Sequence, residues 1–508
     1  MLSEFALPDM IRASLARDSR AMAMDFDGRH YSWGYAQRIG TYIQSSLDEL
    51  SVDTGERIGF IARTRPSHIA ALWGLIAARR CPSMLYAFQS PEKLATDILA
   101  LRPPVMIADR DDWNPVTIAA ARDAGSAGLM LADDGVHRVP GLEKVGIQAL
   151  RERMPDIGLE TLSSGTTGKP KRIPLSMHNL ESSARSAMPS LRQLTTAEGR
   201  AVPMIMMFPL ANISGVYLST PCGAAGHPLA VLEKFDVSKW LDLVRRYRPP
   251  TADLPPAAVL MLLQSNIAAS DLQSIKVVRS GASPLDSNAH REFTERFGIP
   301  IYLSYGASEF CGIITTWSMQ ELQKYGAAKR GSSGRPMAGV ELRIVDPTSG
   351  SVLPPDTMGL LEARVARVGT HWIRTSDLAR IDCDGFMWFE GRNDDAIMRG
   401  SFKISPEHVA EVLRMHPAVS DAAIVGIPDS RLGHVPAAAI ELRPGMTAPT
   451  AQEFAVFARR HLAAPQIPVR FVILDELPRT PSLKVHRQRL YKLLSSTPTA
   501  DENTGSES

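Results

Sequence analysis

The sequence predicts an α/β protein with a large N-terminal domain, built from helices and parallel-rich sheets, and a small C-terminal α+β domain. Three observations predict it. Strand and helix patterns alternate through most of the chain, short strands with tight turns follow residue 335, and capped helices between strands follow Arg392. Alternating strands and helices favour sheets that are covered by helices. A chain of 508 residues is long enough for about two to four domains.

Near the N-terminus, residues 57–62 (RIGFIA) form a predicted strand, and a helix is expected to begin at Pro66. Ile69, Leu72 and Ile76 follow at helical spacing, and proline is tolerated in the first turn of a helix.

Residues 201–232 contain no Asp, Glu, Lys or Arg, a length that would cross a bilayer. Pro203, Pro209 and Pro221 interrupt the stretch, and a spanning helix would leave backbone groups unsatisfied at these points. We therefore expect a buried strand, loop and helix, with a membrane span as the alternative.

A second strand, helix and strand are predicted over residues 275–279, 284–297 and 299–303. This order implies a parallel pair with a right-handed crossover, and ligands bind at the carboxyl ends of such strands. The two ends carry the small-residue sequences SGASP and YGASE, which leave room for a ligand.

The later elements have clear local signals. Asp384-Gly385 predicts a hairpin within residues 378–390. Ser405 and Thr450 are predicted N-caps of two helices, and strands are expected near residues 422–427, 437–442 and 469–474. We expect an N-terminal domain over 1–391, a mobile C-terminal domain over 392–495 and a disordered tail over 496–508.

Composition excludes several classes of protein. Hydrophobic residues make up 44% and charged residues 22%, which is typical of a folded protein, and Lys plus Arg (56) nearly balance Asp plus Glu (54). Without a long basic run, nucleic acid is not an expected partner. The four cysteines are far apart, which argues against a disulfide framework or a local zinc site. The N-terminus lacks the apolar core of a signal peptide, so we expect a cytoplasmic protein.

The loop SSGTTGKPK at residues 163–171 has the composition of a polyphosphate clamp, because its hydroxyls, backbone amides and ammonium groups can surround phosphate oxygens. It is not a Walker A loop, since Gly165 and Gly168 are too close together and Pro170 follows Lys169. An ordinary surface turn is the alternative interpretation.

Six motifs follow one another along the chain: SSGTTGKPK (163–171), SGASP (280–284), YGASE (305–309), WIRTSD (372–377), GRNDD (391–395) and PRTPSLK (478–484). In this order they resemble the adenylate-forming superfamily of acyl- and aryl-CoA synthetases, luciferases and peptide-synthetase adenylation domains. The resemblance covers nearly the whole chain, and it implies ATP, Mg²⁺ and coenzyme A as cofactors.

The implied nucleotide-binding residues are Ser163, Ser164, Gly165, Thr166, Thr167, Gly168, Lys169, Lys171, Gly281, Ala282, Ser283, Tyr305, Gly306, Ala307, Ser308, Asp377 and Arg392. Activation of an acid by ATP requires a metal ligand and holders for adenine and ribose. Glu309 suits Mg²⁺ on the phosphates, Tyr305 suits adenine, and Asp377 suits the ribose hydroxyls. Arg392 can reach the ribose or a phosphate. The alternatives are solvated turn residues, core packing for Tyr305 and a surface cation for Arg392.

In the C-terminal part, the resemblance implies that Lys484 is a catalytic residue for adenylation and that Asp394 is the hinge of a domain rotation. Gly400, Ser401 and Phe402 would line the path of the CoA thiol. The implied acyl pocket contains Asn212, Ile213 and Gly215.

The chain departs from the family pattern at several positions. Ser376, Ser401 and Leu483 stand where the family favours glycine, and Ser308 stands where it favours threonine. Leu483 is the most consequential, because a branched side chain restricts the backbone directly before Lys484.

The expected function is ATP-dependent activation of a fatty or aryl carboxylic acid to acyl-AMP, followed by transfer to the thiol of coenzyme A. Two alternatives stay open: an acyl-AMP ligase that loads a carrier protein, and a non-adenylating variant that binds acyl nucleotides. No acidic residue lies in the pocket stretch to hold an amino group, which argues against an amino-acid substrate. Either a monomer or a homodimer is expected.

Overall fold

The structure is a computed structural model that describes residues 6–162, 172–192, 194–196, 199–393, 395–399, 402–429, 432–480 and 483–496. The side chains of residues 402, 403 and 496 lie outside this description. Up to residue 192, the elements are α1 (Leu7–Leu15), β1 (Met22–Phe26), β2 (Arg29–Ser32), α2 (Trp33–Glu49), β3 (Arg57–Ala62), α3 (Pro66–Ala77), β4 (Cys81–Tyr86), α4 (Pro91–Leu101), β5 (Val105–Asp109), α5 (Pro115–Asp123), β6 (Ala127–Ala132), β7 (Gly135–Arg138), β8 (Ile157–Leu162), β9 (Arg172–Ser176) and α6 (Met177–Arg192).

The next elements are β10 (Met204–Met206), α7 (Ile213–Ala225), β11 (Leu229–Val231), α8 (Val237–Tyr247), β12 (Thr251–Asp253), α9 (Pro256–Gln264), β13 (Val277–Ser280), α10 (Ser287–Phe297), β14 (Ile301–Leu303), β15 (Tyr305–Ala307), β16 (Gly312–Thr316) and α11 (Met319–Tyr325). The remaining ones are β17 (Arg335–Pro336), β18 (Val340–Val345), β19 (Gly359–Val365), β20 (Ile373–Ile381), β21 (Met387–Arg392), β22 (Ile397–Arg399), β23 (Phe402–Ile404), α12 (Pro406–Arg414), β24 (Val419–Asp429), β25 (Gly433–Leu442), α13 (Ala451–Arg459), β26 (Arg470–Leu474) and α14 (Arg487–Ser496).

The N-terminal part contains a seven-stranded sheet in the order β7-β6-β5-β3-β4-β8-β9. Its inner strands are parallel, and the edge strands β7 and β9 pair antiparallel to their neighbours. The predicted strand over 57–62 and the helix that begins at Pro66 are confirmed as β3 and α3. Every residue of α3 is buried, which explains why its sequence is almost wholly apolar.

The uncharged stretch forms β10, a loop and α7, as predicted, and then a further strand, β11, which was not predicted. Strands β10 and β11 are parallel and lie in the sheet β10-β11-β1-β2. Helix α7 packs closely on α3, because the indole nitrogen of Trp73 donates to Ser219 O at 3.0 Å and a Cβ atom at Gly223 would lie 2.6 Å from Trp73. Among the described residues, no helix is both long and apolar enough to cross a lipid bilayer.

The predicted parallel pair is confirmed in the sheet β12-β13-β14, in which β13 is the central strand. Three predicted element starts are wrong by two or three residues, and one of them is that of β14, which begins at Ile301 rather than at residue 299. Helix α10 begins at Ser287 rather than at residue 284, because the Asp286 carboxylate is the N-cap and accepts from the backbone N–H groups of Asn288 and Ala289. Strand β13 begins at Val277.

After residue 335, β18 to β21 form an antiparallel sheet. The hairpin predicted at Asp384-Gly385 is confirmed between β20 and β21, and Gly385 has a φ of +82°, which glycine adopts without a steric cost. The C-terminal domain has the sheet β23-β22-β25-β24, with β26 parallel to β25. Both predicted caps are present: Ser405 caps α12, and Thr450 forms a capping box with Glu453 at the start of α13.

The C-terminal domain contacts the N-terminal domain at several points. Gln264 at the end of α9 donates to the Ser420 hydroxyl, and Arg443 Nη2 lies 3.6 Å from Glu292 Oε2. Leu483 packs against the N-terminal core cluster that includes Phe208, Val278 and Leu303. These contacts bring the loop that precedes α14 to the carboxyl ends of β13 and β14.

Candidate active site

The two small-residue turns lie side by side. Ser304 N donates to Ser280 O at 2.8 Å, and a Cβ atom at Gly281 would lie 2.6 Å from Ser304 Oγ. At Gly306, a Cβ atom would lie 2.3 Å from Gly312 O on the paired strand β16. Both glycines are therefore required by close backbone packing, in addition to any role towards a ligand. Ala282 has a φ of +69°, a conformation that L residues rarely adopt.

Tyr305 and Asp377 form a direct hydrogen bond. The Tyr305 hydroxyl donates to Asp377 Oδ2 at 2.5 Å, and the tyrosine ring packs near Phe310 and Phe389. Burial, and then the Asp377 carboxylate, raise the pKa of Tyr305 well above its usual value, which keeps the phenol protonated as a donor. The two residues predicted to hold adenine and ribose are therefore linked, although Tyr305 also packs in the core.

Arg392 lies beside Asp377, because the two residues pair directly across β20 and β21. Its Nε atom is 3.7 Å from Asp377 Oδ1, and its Nη2 atom donates to the Ser376 hydroxyl. Ser376 O also accepts from Asn393 N at 2.7 Å. The Ser376 hydroxyl thus helps to position the Arg392 side chain.

Lys484 reaches the same region from the C-terminal domain. Its backbone N–H donates to Thr480 Oγ1 at 3.2 Å, and its carbonyl accepts from Thr480 N at 2.7 Å. These two hydrogen bonds hold Lys484 next to Thr480. Burial and the nearby Arg392 lower the pKa of Lys484, and Asp377 partly opposes them. The structure therefore brings Asp377, Arg392 and Lys484 together.

Leu483 has a φ of +60°. That conformation costs an L residue roughly 1 to 2 kcal/mol, a cost that glycine would not bear. The side chain of Leu483 packs against the N-terminal core cluster, so burial of apolar area offsets part of this cost.

Glu309 lies in a short 3₁₀ turn, residues 308–310, directly after β15. Its side chain is exposed and makes no hydrogen bond or ion pair with another described residue. The described residues also contain no group of three or more His, Cys, Asp or Glu side chains that could hold a metal. One free carboxylate fits Mg²⁺ that arrives with phosphates, because this ion commonly takes one or two protein carboxylates and completes its shell with phosphate and water oxygens.

The predicted acyl-pocket residues lie at the start of α7. Asn212 is the N-cap residue and its side chain makes no capping hydrogen bond, while Ile213 lines a small cleft between α6 and α7. Gly215 has another role: a Cβ atom there would lie 2.3 Å from Pro209 O, so glycine is needed for packing. The cleft is also lined by Leu180, Ser183, Tyr217, Thr220 and Cys311.

Sequence reasoning missed Tyr217 and the neighbouring pair Asp253 and Arg279. Tyr217 follows Ile213 by four residues, so helical spacing could have placed both on one face of α7. The predicted clamp over 163–171, the hinge Asp394, and Gly400 and Ser401 lie outside the described residues, as does the side chain of Phe402.

Comparison with known proteins identifies the family of enzymes to which this fold and site belong. Residues 11–368 match the AMP-binding enzyme family and residues 408–484 match the AMP-binding enzyme C-terminal domain. The chain belongs to this family of AMP-binding, adenylate-forming enzymes, which confirms the predicted resemblance.

Three individual proteins illustrate the match. The chain is 26% identical to indoleacetate–CoA ligase of Aromatoleum aromaticum over 93% of this chain and 95% of that protein. It is 23% identical to 4-coumarate–CoA ligase 1 of Petroselinum crispum over 92% and 90%. A solved anthranilate CoA ligase in complex with anthranoyl-AMP superposes with a TM-score of 0.79 and 21% identity, covering 97% of each chain. The fold is that of acyl- and aryl-CoA synthetases, as predicted.

Proposed function

We propose that this protein is an AMP-forming acid:CoA ligase that acts on a compact carboxylic acid of aryl type. In the first step, a carboxylate oxygen of the acid attacks the α-phosphorus of ATP and pyrophosphate leaves. In the second step, the thiolate of coenzyme A attacks the acyl carbonyl and AMP leaves. The observation that carries the proposal is the convergence of Asp377, Arg392 and Lys484 from two domains beside the ends of β13 and β14.

The charges at this site favour an anionic ligand. Arg392 lowers the pKa of Lys484, which means that the two cations repel each other in the free protein. A phosphate between them would relieve this repulsion and would favour the ammonium form of Lys484. Lys484 then stabilises the negative charge that develops on the oxygens as the carboxylate attacks. Asp377, held by Tyr305, accepts hydrogen bonds from the ribose hydroxyls.

Glu309 is the proposed protein ligand of Mg²⁺ and thereby a catalytic residue. The ion, when bound, neutralises phosphate charge. Glu309 is suited to this role because its carboxylate is exposed and makes no hydrogen bond or ion pair with another described residue.

Two observations support a compact aryl acid over a long-chain fatty acid. The cleft beside Ile213 is small, and Leu180 of α6 and Pro221 of α7 are among the residues that line it. The similar proteins include ligases named for indoleacetate and 4-coumarate, both of which are aryl acids.

We also propose that the C-terminal domain, over about residues 392–495, rotates about Asp394 between the two steps, and that Gly400, Ser401 and Phe402 line the path of the CoA thiol. An acyl-AMP ligase that loads a carrier protein remains the second candidate, because both types of enzyme share the first step.

The test is a panel of aryl and medium- to long-chain acids, with AMP and pyrophosphate measured separately. Pyrophosphate release that is followed by CoA-dependent release of AMP is the expected result. AMP release that requires a phosphopantetheinyl protein instead of CoA would establish the carrier-protein alternative. Absence of pyrophosphate release with every acid would contradict both.

A further inference from the structure

An arginine from another part of the chain holds the turn that carries Glu309. Arg367 lies two residues after the end of β19, and its guanidinium donates from Nε to Phe310 O at 2.9 Å and from Nη2 to Ile313 O at 2.7 Å. These two acceptors stand on either side of residues 311 and 312. Because the planar guanidinium fixes its donors relative to each other, the contact sets the distance between the two carbonyls.

The backbone between these carbonyls has an unfavourable conformation. Cys311 has a φ of +54°, and its N–H closes the 3₁₀ turn by donating to Ser308 O at 3.0 Å. A left-handed conformation is unfavourable for an L residue and persists where surrounding contacts hold it. Ser183 of α6 supplies a further contact, because its hydroxyl donates to Cys311 O at 2.7 Å. Side chains from two other elements thus hold three carbonyls of one short segment.

Glu309 is exposed, whereas the residues that follow it are buried. Phe310 and Cys311 are 0% and 1% exposed. Gly312 packs on Tyr217, since a Cβ atom at this glycine would lie 2.4 Å from the tyrosine ring. The segment is therefore anchored on its buried side, and the Glu309 side chain remains open to a ligand. A carboxylate on a fixed backbone loses less conformational freedom when it binds a metal ion than one on a loose loop.

Arg367 is a buried cation without a counter-ion. It is 9% exposed, and within the part of the chain that the structure describes it forms no ion pair with a carboxylate. Burial of an unpaired charge is costly, so the stability of the fold does not account for an arginine at this position. The carbonyls of Phe310 and Ile313 compensate the charge, and hydrogen bonds from a charged donor are stronger than those between neutral groups. The arrangement thus provides a rigid turn at the expense of stability.

We propose that Arg367 is a positioning residue, which fixes the segment 308–313 so that the Glu309 carboxylate is held ready for Mg²⁺. The inference rests on the proposed function, in which Glu309 binds the ion that accompanies the phosphates of ATP. Arg367 acts through the backbone of the turn and has no contact with the ion. Loss of Arg367 should loosen the turn, and the Glu309 carboxylate would then have to be ordered each time the ion binds.

The first test is the Mg²⁺ dependence of acyl-AMP formation at saturating ATP and acid. Arg367→Met removes both hydrogen bonds, and the Mg²⁺ concentration for the half-maximal rate should rise on the order of 10-fold. Arg367→Lys keeps a buried cation but loses the planar fork, so a smaller rise is expected. The lysine variant carries the same test if the methionine variant does not fold. An unchanged Mg²⁺ dependence in these variants would overturn the proposal.

A matched control and a double-mutant cycle separate positioning from a general disturbance of the fold. Arg296 of α10 donates to three backbone carbonyls over residues 263–267, so Arg296→Met loses contacts of the same kind away from Glu309. It should leave the Mg²⁺ dependence unchanged, and a rise equal to that of Arg367→Met would contradict the proposal. Combining Arg367→Met with Glu309→Gln should give a shift no larger than that of the stronger single variant. Independent shifts that multiply to roughly 100-fold would mean that Arg367 does not act through Glu309.

Two measurements without turnover distinguish a failure of this inference from a failure of the proposed function. Hydrogen exchange followed by mass spectrometry should be faster for the peptide that contains residues 308–313 in Arg367→Met than in the wild type. The affinity of Mn²⁺ for the enzyme saturated with α,β-methylene-ATP, measured by electron paramagnetic resonance, should fall in the same variant. Faster exchange with an unchanged Mn²⁺ affinity would make Arg367 a purely structural residue and leave the ligase function standing. If no acid is activated, the proposed function fails, and the Mn²⁺ affinity alone decides the role of Arg367.

Discussion

The hydroxyl of Tyr305 donates a hydrogen bond to the carboxylate of Asp377, across 72 positions of the sequence. This bond joins β15, which carries the first residues of the YGASE motif, to the antiparallel sheet that carries Arg392. The hydrogen bond from Tyr305 orients the carboxylate of Asp377. This orientation is needed for Asp377 to accept hydrogen bonds from both ribose hydroxyls, as proposed.

Tyr305→Phe should therefore raise the KM for ATP more than it lowers kcat. A hydrogen bond to a charged group contributes about 1.5 to 3 kcal/mol, so an increase on the order of 10-fold in KM is expected. Steady-state kinetics at saturating acid and CoA provide the measurement. Tyr302→Phe is the control, since its hydroxyl contacts Met319 instead of Asp377. An unchanged KM for ATP in Tyr305→Phe would show that Asp377 does not depend on this bond.

Leu483 combines an unfavourable backbone conformation with a favourable apolar contact, and two substitutions separate these effects. Leu483→Ala keeps the Cβ atom in the left-handed region and loses most of the contact, so acyl-AMP formation should slow. Leu483→Gly loses the same contact but removes the conformational cost of about 1 kcal/mol, and should be roughly 5-fold faster than the alanine variant. ATP–pyrophosphate exchange measures the step. Equal rates for the two variants would mean that the backbone conformation has no influence on the step.

Lys484→Ala should act on the first half-reaction alone. Loss of one preorganised donor typically costs on the order of 10²- to 10³-fold in rate, and acyl-AMP formation should fall by this amount. Formation of the CoA thioester from chemically prepared acyl-AMP should be spared, because the proposed rotation carries Lys484 away from the site. Lys492→Ala, on α14 of the same domain, is the matched control. Similar losses in both half-reactions would contradict a step-specific role.

The pKa of Lys484, lowered by burial and by Arg392, has a measurable consequence in the free protein. A lysine with a lowered pKa is neutral, and hence nucleophilic, at a lower pH than an ordinary lysine. Arg392→Gln removes a positive charge, so the pKa of Lys484 should rise and its acetylation should require a higher pH. Mass spectrometry of the peptide containing Lys484, after acetic anhydride treatment across a pH series, measures the midpoint.

The control for this experiment is Arg364→Gln. Arg364 lies on β19 of the same sheet and pairs with Glu341 at 3.0 Å, away from Lys484. A midpoint that moves downwards in Arg392→Gln, or equally in both variants, would contradict the assigned cause.

Local signals predicted much of the fold. Capping by Ser405 and Thr450, and the turn at Gly385, depend on neighbouring residues, so they can be recognised in sequence. The start of α10 was misplaced because Pro284 resembles a first-turn proline, whereas the Asp286 side chain provides the cap. Pro284 and Asp286 are both possible start signals for this helix, and tertiary packing determines which of them is used.

The site was predicted less completely, for a physical reason. The motifs identified Asp377, Arg392 and Lys484, which the fold does bring together. Asp253 and Arg279 belong to no predicted motif, and their pairing depends on the register of two parallel strands that are joined through α9. The register between β12 and β13 depends on the packing of the whole sheet. The sequence alone therefore could not show that Asp253 and Arg279 are partners.

The role of Glu309 can be tested by the dependence on Mg²⁺. Glu309→Gln keeps the shape of the side chain and removes one negative charge from the proposed ligand set, so the affinity of the ATP-bound enzyme for Mg²⁺ should fall. We expect the Mg²⁺ concentration for half-maximal acyl-AMP formation to rise on the order of 10-fold, or about 1.4 kcal/mol, with partial recovery of the rate at high Mg²⁺. Glu295→Gln, an exposed glutamate on α10, is the control. Because Glu309 is exposed and makes no hydrogen bond or ion pair with another described residue, the variant should unfold at the same urea concentration as the wild type. An unchanged Mg²⁺ titration would therefore remove Glu309 from the metal site without any ambiguity about folding.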